Sequence, residues 1–113
     1  MAGPKLPDAL ARRHLLEGDL DPSKAKAYAE AYLEAGREIE AVDFLAKAGA
    51  RDQLAALQDA AVERGDVFLM RTASRGLEED PSVARWSALA EAARDAGRAR
   101  DAETATRLAS VDG

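Results

Sequence analysis

Apolar residues recur every three or four positions in several segments of the chain, and most of these segments end at a glycine. In a helix, this spacing gathers the apolar side chains on one face. The segment before Gly36 has the clearest such stripe, which consists of Ala25, Tyr28, Ala29, Tyr32 and Leu33. No segment alternates apolar and polar residues with the period of two that a half-buried strand requires. The pattern therefore predicts an all-α fold.

Glycine and proline set the ends of the predicted helices. Two Asp-Pro-Ser tripeptides, beginning at Asp21 and Asp80, each predict a helix with aspartate as its N-cap and proline at its first position. The predicted helices span residues 8–17, 22–35, 38–48, 51–64, 66–75, 81–96 and 99–109. Gly76 is expected to end the fifth. The connections between the seven helices are short, so sequential helices are expected to lie antiparallel.

The chain repeats itself internally. The segment from Asp21-Pro22-Ser23 to Ala35-Gly36-Arg37 has the same beginning and end as the segment from Asp80-Pro81-Ser82 to Ala96-Gly97-Arg98. The second copy has two additional residues near its start. Gly65 takes the matching place in the middle of the chain, so the three glycines lie 29 and 32 residues apart. Such self-similarity predicts a helical repeat.

These residues resemble the tetratricopeptide-like repeats. The first copy matches the family pattern at Ala25, Tyr28, Ala29, Tyr32, Gly36, Ala41, Leu45 and Ala48. The last copy matches it at Trp86, Leu89, Ala90, Ala93, Gly97, Ala102 and Ala109. The middle copy is degenerate, with Leu54, Leu57, Ala61 and Gly65, and with Met70 where the family has alanine. The glycine spacings are also shorter than the ~34 residues typical of this repeat.

The resemblance implies a stack of antiparallel α-α hairpins, a TPR-like α-solenoid of about seven helices. We expect a single domain over residues 1–113, with repeats at 22–48, 51–77 and 81–110. Helix 8–17 is expected to cap the open end through Leu10, Leu15 and Leu16. Three stacked copies are about the minimum for such a fold. A plain helical bundle, or another α-solenoid with shorter turns, remains the alternative.

Composition excludes several classes of function. The net charge is −5, with scattered basic residues, which disfavours nucleic acid as a partner. There is no cysteine, so disulfides are absent and a reducing compartment is favoured. Met1 to Leu20 is interrupted by Pro4 and charged residues, which argues against a signal peptide. No apolar stretch approaches the ~20 residues of a membrane helix. We therefore expect a cytoplasmic protein.

The chain offers little catalytic chemistry. Its one histidine, His14, has neither a nucleophile nor an orienting partner nearby in the sequence. With no cysteine and a single histidine, a zinc site of the usual kind is not expected. The glycines are isolated, so they do not form a phosphate-binding loop. We therefore expect no catalytic residue, no metal and no cofactor, and we do not expect an enzyme.

One charge pattern stands out from this background. The first helix of each predicted hairpin has two acidic residues spaced i, i+4, namely Glu30 and Glu34, Asp59 and Glu63, and Glu91 and Asp95. Like charges at this spacing destabilise a helix by ~0.2–0.5 kcal/mol per pair. The family resemblance implies that these helices line a concave groove, so the pairs predict an acidic groove for a basic partner segment. Leu33 and Val62 would supply apolar anchors.

Two alternatives remain open. The acidic pairs are a solvated face if nearby arginines neutralise them, the candidates being Arg37, Arg64, Arg94 and Arg98. Instead of an adaptor or scaffold, the chain is a structural protein if it self-associates through its ends or through Phe68-Leu69-Met70, its most apolar short run. The last helix, with Thr104, Arg107 and Ser110 on its outer face, is either a solvated end or a docking face for a second copy.

Overall fold

A computed structural model describes residues 6–110 and contains seven helices and no strand among them. The helices are α1 (Ala9–Glu17), α2 (Pro22–Glu34), α3 (Glu38–Ala48), α4 (Arg51–Arg64), α5 (Val67–Leu77), α6 (Val83–Asp95) and α7 (Ala99–Ala109). The all-α prediction is thus confirmed. Pro4, which entered the signal-peptide argument, lies outside the described residues.

The chain divides into two compact units, Met1–Leu54 and Ala55–Gly113, and the boundary falls within α4. In the first unit, α2 packs against α3, and α1 contacts α3. In the second unit, α6 packs against α7, and α5 contacts α7. The Gln58 side chain of α4 donates a hydrogen bond to Ser74 Oγ of α5 at 3.0 Å. Pairs of sequential helices therefore form α-α hairpins, as the short turns predicted.

The three hairpins share one register when they are aligned on the turn glycines Gly36, Gly65 and Gly97. In each hairpin the first helix begins 14 residues before the glycine, and the second begins two residues after it and has 11 residues. The unequal glycine spacings therefore arise outside the hairpins. Residues 49–50 connect α3 to α4, whereas residues 78–82 connect α5 to α6.

The turn at Gly65 illustrates why glycine is required there. Its φ of 68° lies in the left-handed region, which residues with a Cβ rarely adopt. The amide of Asp66 donates to the Ala61 carbonyl at 2.9 Å, so one of the last carbonyls of α4 is satisfied. Gly65 is also buried, and a Cβ there would lie 2.4 Å from both the backbone N and Cα of Ala93. The close packing of α4 on α6 therefore depends on this glycine.

The end of α5 differs from the prediction. Gly76 was expected to end this helix, but α5 continues to Leu77, and Glu78 takes the left-handed conformation with φ 57°. Leu77 is only 5% exposed. Burial of an additional leucine is worth ~1.5–3 kcal/mol, which exceeds the ~0.5–1 kcal/mol that a glycine costs within a helix.

The second Asp-Pro-Ser also differs from the prediction. In the first tripeptide Asp21 is the N-cap, and its carboxylate accepts from the amides of Ser23 and Lys24. In the second, Ser82 is the N-cap, and its hydroxyl accepts from the amide of Arg85 at 3.2 Å. Counted from the cap, α2 and α6 both have 13 residues. The two additional residues of the last copy therefore lie before the helix and not within it.

Aromatic side chains fill the core of the first unit. The Tyr32 and Phe44 rings stack with their centroids 5.6 Å apart, and Tyr28 packs against Phe44 at 5.3 Å. The Tyr32 hydroxyl donates to the Pro7 carbonyl at 3.2 Å, which holds the chain before α1 against α2. Contrary to the expected capping role, Leu10 is 64% exposed.

In α1, only Leu15 and Leu16 of the three predicted capping leucines are partly covered, and no residue of the helix is fully buried.

Small and large apolar residues alternate in the core of the second unit. Ala61, Ala73, Ala90 and Ala93 are buried, and Leu57, Leu69, Met70, Trp86 and Leu89 occupy the space between helices. In the Phe68-Leu69-Met70 run, Leu69 and Met70 belong to this core, whereas Phe68 is 64% exposed. The run is thus divided between core and surface.

Candidate functional site

The predicted site residues of the first unit lie on α2. Glu30 and Glu34 are exposed, and Leu33 is partly buried. Glu30 borders a shallow depression that also includes Lys26, Arg51 and Asp52. Because two cations adjoin Glu30 there, the depression has mixed charge.

Asp59, Val62 and Glu63, the predicted residues of the middle hairpin, line a groove in the second unit. We call it the α4–α6 groove, and it consists of Asp59, Val62, Glu63, Ala84, Arg85 and Ala88. One wall comes from α4 and the other from α6. Ala84 and Ala88 lie one turn apart on α6, so their small side chains leave the groove open opposite Val62. Three of the predicted residues are therefore brought together at one site.

An ion pair crosses this groove. Arg85 Nη2 lies 2.9 Å from Asp59 Oδ1, with the arginine side chain 38% exposed and the aspartate side chain 69% exposed. At such exposure the pair contributes at most ~1 kcal/mol to stability. Among the described residues, Arg85 Nε is buried and has no hydrogen-bond partner. Arg85 is therefore held through Nη2, while the burial of Nε has a cost in desolvation.

Two of the arginines that were expected to neutralise the acidic pairs form ion pairs with other carboxylates. Arg37 pairs with Glu40 at 3.0 Å, and Arg98 approaches Asp101 at 3.7 Å. In both pairs, an arginine of the interhelical turn binds a carboxylate in the first turn of the following helix. The two pairs therefore occupy equivalent positions in the first and last hairpins. Arg85, which was not among the expected arginines, pairs with the predicted site residue Asp59.

Glu91 and Asp95 continue the acidic character along α6. Both are exposed, and they follow Ala88 at helical spacings that keep them on the same face as Ala84. Glu63 in the groove is also exposed. The second unit therefore presents four exposed carboxylates along α4 and α6, one of which, Asp59, is paired with Arg85.

Two carboxyl groups with shifted pKa values stabilise helix starts. A hydrogen bond from the Ser23 hydroxyl, followed by one from the Lys24 amide, lowers the pKa of Asp21. Partial burial acts to raise the pKa of Glu40, but hydrogen bonds from Arg37 and the backbone outweigh it, so this pKa is also lowered. Both groups lie at the ends of helices and outside the α4–α6 groove, so we assign them to structure.

Within residues 6–110 there is no group of three or more histidine or carboxylate side chains placed to hold a metal ion. No helix in this range is long and apolar enough to cross a membrane. His14 is exposed on α1.

The chain was compared with protein-family models, curated proteins and solved structures, and none of them matches it. The resemblance to tetratricopeptide-like repeats therefore stays a prediction.

The sequence analysis did not predict a second concave surface, which lies in the Ala55–Gly113 unit and which we call the connector cleft. It lies where the α5–α6 connector leaves α5, and Trp86, Val83, Pro81 and Leu108 form its apolar part. The signal for it was present in the sequence, since the second glycine spacing exceeds the first by three residues. Those residues belong to the connector that forms one rim of this cleft.

Proposed function

We propose that the chain is a non-catalytic protein-interaction module, an adaptor or scaffold, and that its α4–α6 groove binds a basic segment of a partner protein. The observation that carries the proposal is the meeting of Asp59, Val62 and Glu63 on one wall of a groove whose other wall offers Ala84 and Ala88. The shared register of the three hairpins supports the tetratricopeptide-like assignment. Since the chain has no cysteine, we propose a reducing compartment, the cytoplasm.

The groove has the features that recognition of a basic segment requires. The alanines of α6 allow a partner backbone to approach closely, and Val62 gives an apolar contact that excludes water. The surrounding carboxylates attract cations over a distance, which accelerates association more than it tightens binding. This attraction falls with ionic strength, because exposed charges are screened beyond ~8–10 Å in physiological salt.

The ion pair in the groove defines how a partner would engage it. Arg85 already forms an ion pair with Asp59, so a cation of the partner would compete with the Arg85 guanidinium for this carboxylate. Glu63 and Glu91 are both exposed and offer their charge directly to a partner. The groove should therefore favour segments with several basic residues over segments with one.

The experiment is a selection of peptides from a random display library on the purified chain, followed by fluorescence anisotropy with the selected peptides. Enrichment of lysine and arginine together with apolar residues is expected. The variant Glu63→Lys/Glu91→Lys should weaken binding at least about tenfold, since like charges across an interface are strongly unfavourable. It leaves the pair between Asp59 and Arg85 intact.

The matched control is Asp43→Lys/Glu103→Lys, which makes the same change of charge at two exposed positions outside the groove. Its affinity should stay within about twofold of the original chain if the site, and not the net charge, determines binding. Selected peptides that are neutral or acidic would contradict the proposal. An equal loss of affinity in both variants would also contradict it.

A further inference from the structure

Arg85 uses only part of its hydrogen-bonding capacity in the α4–α6 groove. The Nε and Nη2 atoms of an arginine share one edge of the guanidinium, and their two N–H groups match the two oxygens of a carboxylate. In this groove Nη2 donates to Asp59 Oδ1 at 2.9 Å. Nε is buried and has no hydrogen-bond partner among the described residues. Asp59 therefore satisfies one half of an edge that is able to hold a carboxylate with both of its nitrogens.

A basic segment bound in the groove would leave Arg85 without an acceptor. This step rests on the proposed function, in which basic residues of the segment bind the carboxylates of Asp59 and Glu63 on α4. On its own helix, Arg85 has no acidic residue one turn away in either direction. The residues at those positions are Pro81, Ser82, Ala88 and Leu89. The displaced guanidinium therefore needs an acceptor from the segment itself.

This need arises because the bound segment covers the groove. In the free chain the Arg85 side chain is 38% exposed, so water solvates part of its charge. A segment that lies over Ala84 and Ala88, on the same wall as Arg85, excludes this water. A covered charge that has lost its partner strongly opposes binding. A segment that brings a carboxylate of its own avoids this penalty and pairs with both nitrogens of the edge.

We propose that the α4–α6 groove selects segments in which an acidic residue accompanies the basic ones, and that Arg85 binds this acidic residue. A basic side chain of the segment replaces Arg85 at Asp59, and the acidic side chain accepts from Nε and Nη2 of Arg85. One ion pair within the chain is thus exchanged for two across the interface. Glu63 and Glu91 attract further basic residues, so the net charge of the segment stays positive.

The geometry also limits the spacing of the two charges in the segment. Because Asp59 and Arg85 are in direct contact, the acidic and basic side chains that replace this pair must lie side by side. Side chains two residues apart share a face of an extended segment, and side chains three or four apart share a face of a helix. The acidic residue is therefore expected within about four residues of a basic one.

Parallel selections from one random peptide library, on the original chain and on Arg85→Met, test the proposal. Lysine and arginine should be enriched on both chains, since the carboxylates of the groove are unchanged. On the original chain, aspartate or glutamate near a basic residue should be enriched at least about threefold over the unselected library, and on Arg85→Met it should not be enriched. A basic preference retained by Arg85→Met shows that this variant is folded.

Fluorescence anisotropy with one selected peptide of both charges measures the exchange directly. Replacement of the acidic residue of the peptide by its amide should weaken binding to the original chain at least about tenfold, because Arg85 is then covered and unpaired. The same replacement should change binding to Arg85→Met by less than about twofold. The matched control is Arg94→Met, at an exposed position of α6 outside the groove, which should show the tenfold effect.

Asp59→Asn is a second variant that tests the proposal from the other side of the ion pair. It removes the partner of Arg85 within the chain and keeps the guanidinium. The preference for an acidic residue should therefore persist on Asp59→Asn, and its loss there would overturn the proposal even if Arg85→Met did not fold.

The selections distinguish failure of this inference from failure of the proposed function. Basic peptides with no acidic residue near the basic ones would overturn the inference and leave the proposed function standing. An acidic preference that persists on Arg85→Met would also overturn it, since a residue other than Arg85 then binds the acidic group. If the original chain enriches no basic residues, the proposed function fails and the inference fails with it.

Discussion

Replacement of Gly65 by alanine should destabilise the second unit far more than the same change at Gly97. Both glycines follow the first helix of a hairpin, and both have left-handed φ values, 68° and 76°. They differ in their surroundings. A Cβ at Gly97 would meet nothing within 4 Å, whereas at Gly65 it would lie 2.4 Å from the backbone of Ala93 and 2.8 Å from its Cβ.

The two contributions can be estimated separately. An alanine in the left-handed conformation costs about 1 kcal/mol, and both variants incur this cost. Carbon atoms normally approach to 3.5–4.0 Å, so the contact at Gly65 is too short by more than about 1 Å. Relief of such overpacking requires α4 and α6 to separate and costs a further ~1–3 kcal/mol. We therefore expect a loss of about 3 kcal/mol for Gly65→Ala and about 1 kcal/mol for Gly97→Ala.

Urea unfolding measured by fluorescence suits this comparison. Trp86 is the only tryptophan of the chain, and it is buried on α6, the helix against which Gly65 packs. Its emission therefore reports on the affected unit. The double variant Gly65→Ala/Ala93→Gly should recover little stability, because the nearest atoms to the new Cβ belong to the Ala93 backbone. Equal losses for Gly65→Ala and Gly97→Ala, within ~0.5 kcal/mol, would refute the close approach of α4 to α6.

Three further predictions concern single side chains. Ser82→Ala should lower the unfolding free energy by about 1 kcal/mol through loss of the α6 cap, and Asp80→Ala should not; a reversed order in urea melts would contradict the assignment. Arg85→Met should change the unfolding free energy by less than ~1 kcal/mol, since it removes both an exposed ion pair and a buried, unpaired Nε. It should also tighten the binding of basic peptides without acidic residues, because Arg85 no longer competes with them for Asp59; weaker binding would contradict this competition. Asp21 has a lowered pKa in the folded state. Its contribution is therefore complete above the unfolded value of ~3.9 and is lost as the pH falls through the folded value, so thermal melts of Asp21→Ala and the original chain should converge in acid; a constant difference would contradict it.

The sequence predicts a helix end correctly where only one residue type can readily form the turn that follows the helix. The left-handed turns at Gly36, Gly65 and Gly97 lie where glycine predicted them, because few other residues adopt that conformation without cost. Where two residues compete, the sequence does not decide. Asp-Pro-Ser contains two good caps, since a serine hydroxyl caps a helix about as well as a carboxylate does. The first tripeptide uses the aspartate and the second uses the serine.

The sequence predicted only part of the candidate site, because the rest depends on contacts between residues that are far apart in the chain. Helical spacing placed Asp59, Val62 and Glu63 on one face of α4, because such spacing is a local property. The opposite wall was not foreseen, since Arg85 follows Asp59 by 26 residues and meets it only through the packing of α6. The connector cleft likewise depends on tertiary structure, although the longer second repeat indicated where the chain departs from its own pattern.

The most direct test of the proposed function is an amide chemical-shift titration of the isotope-labelled chain with the tightest basic peptide from the library selection. The proposal predicts that the largest shifts lie on both walls of the α4–α6 groove, at Asp59, Val62, Glu63, Ala84 and Ala88. Shifts confined to α1–α3 or to the connector cleft would contradict it, and so would the absence of shifts at saturating peptide.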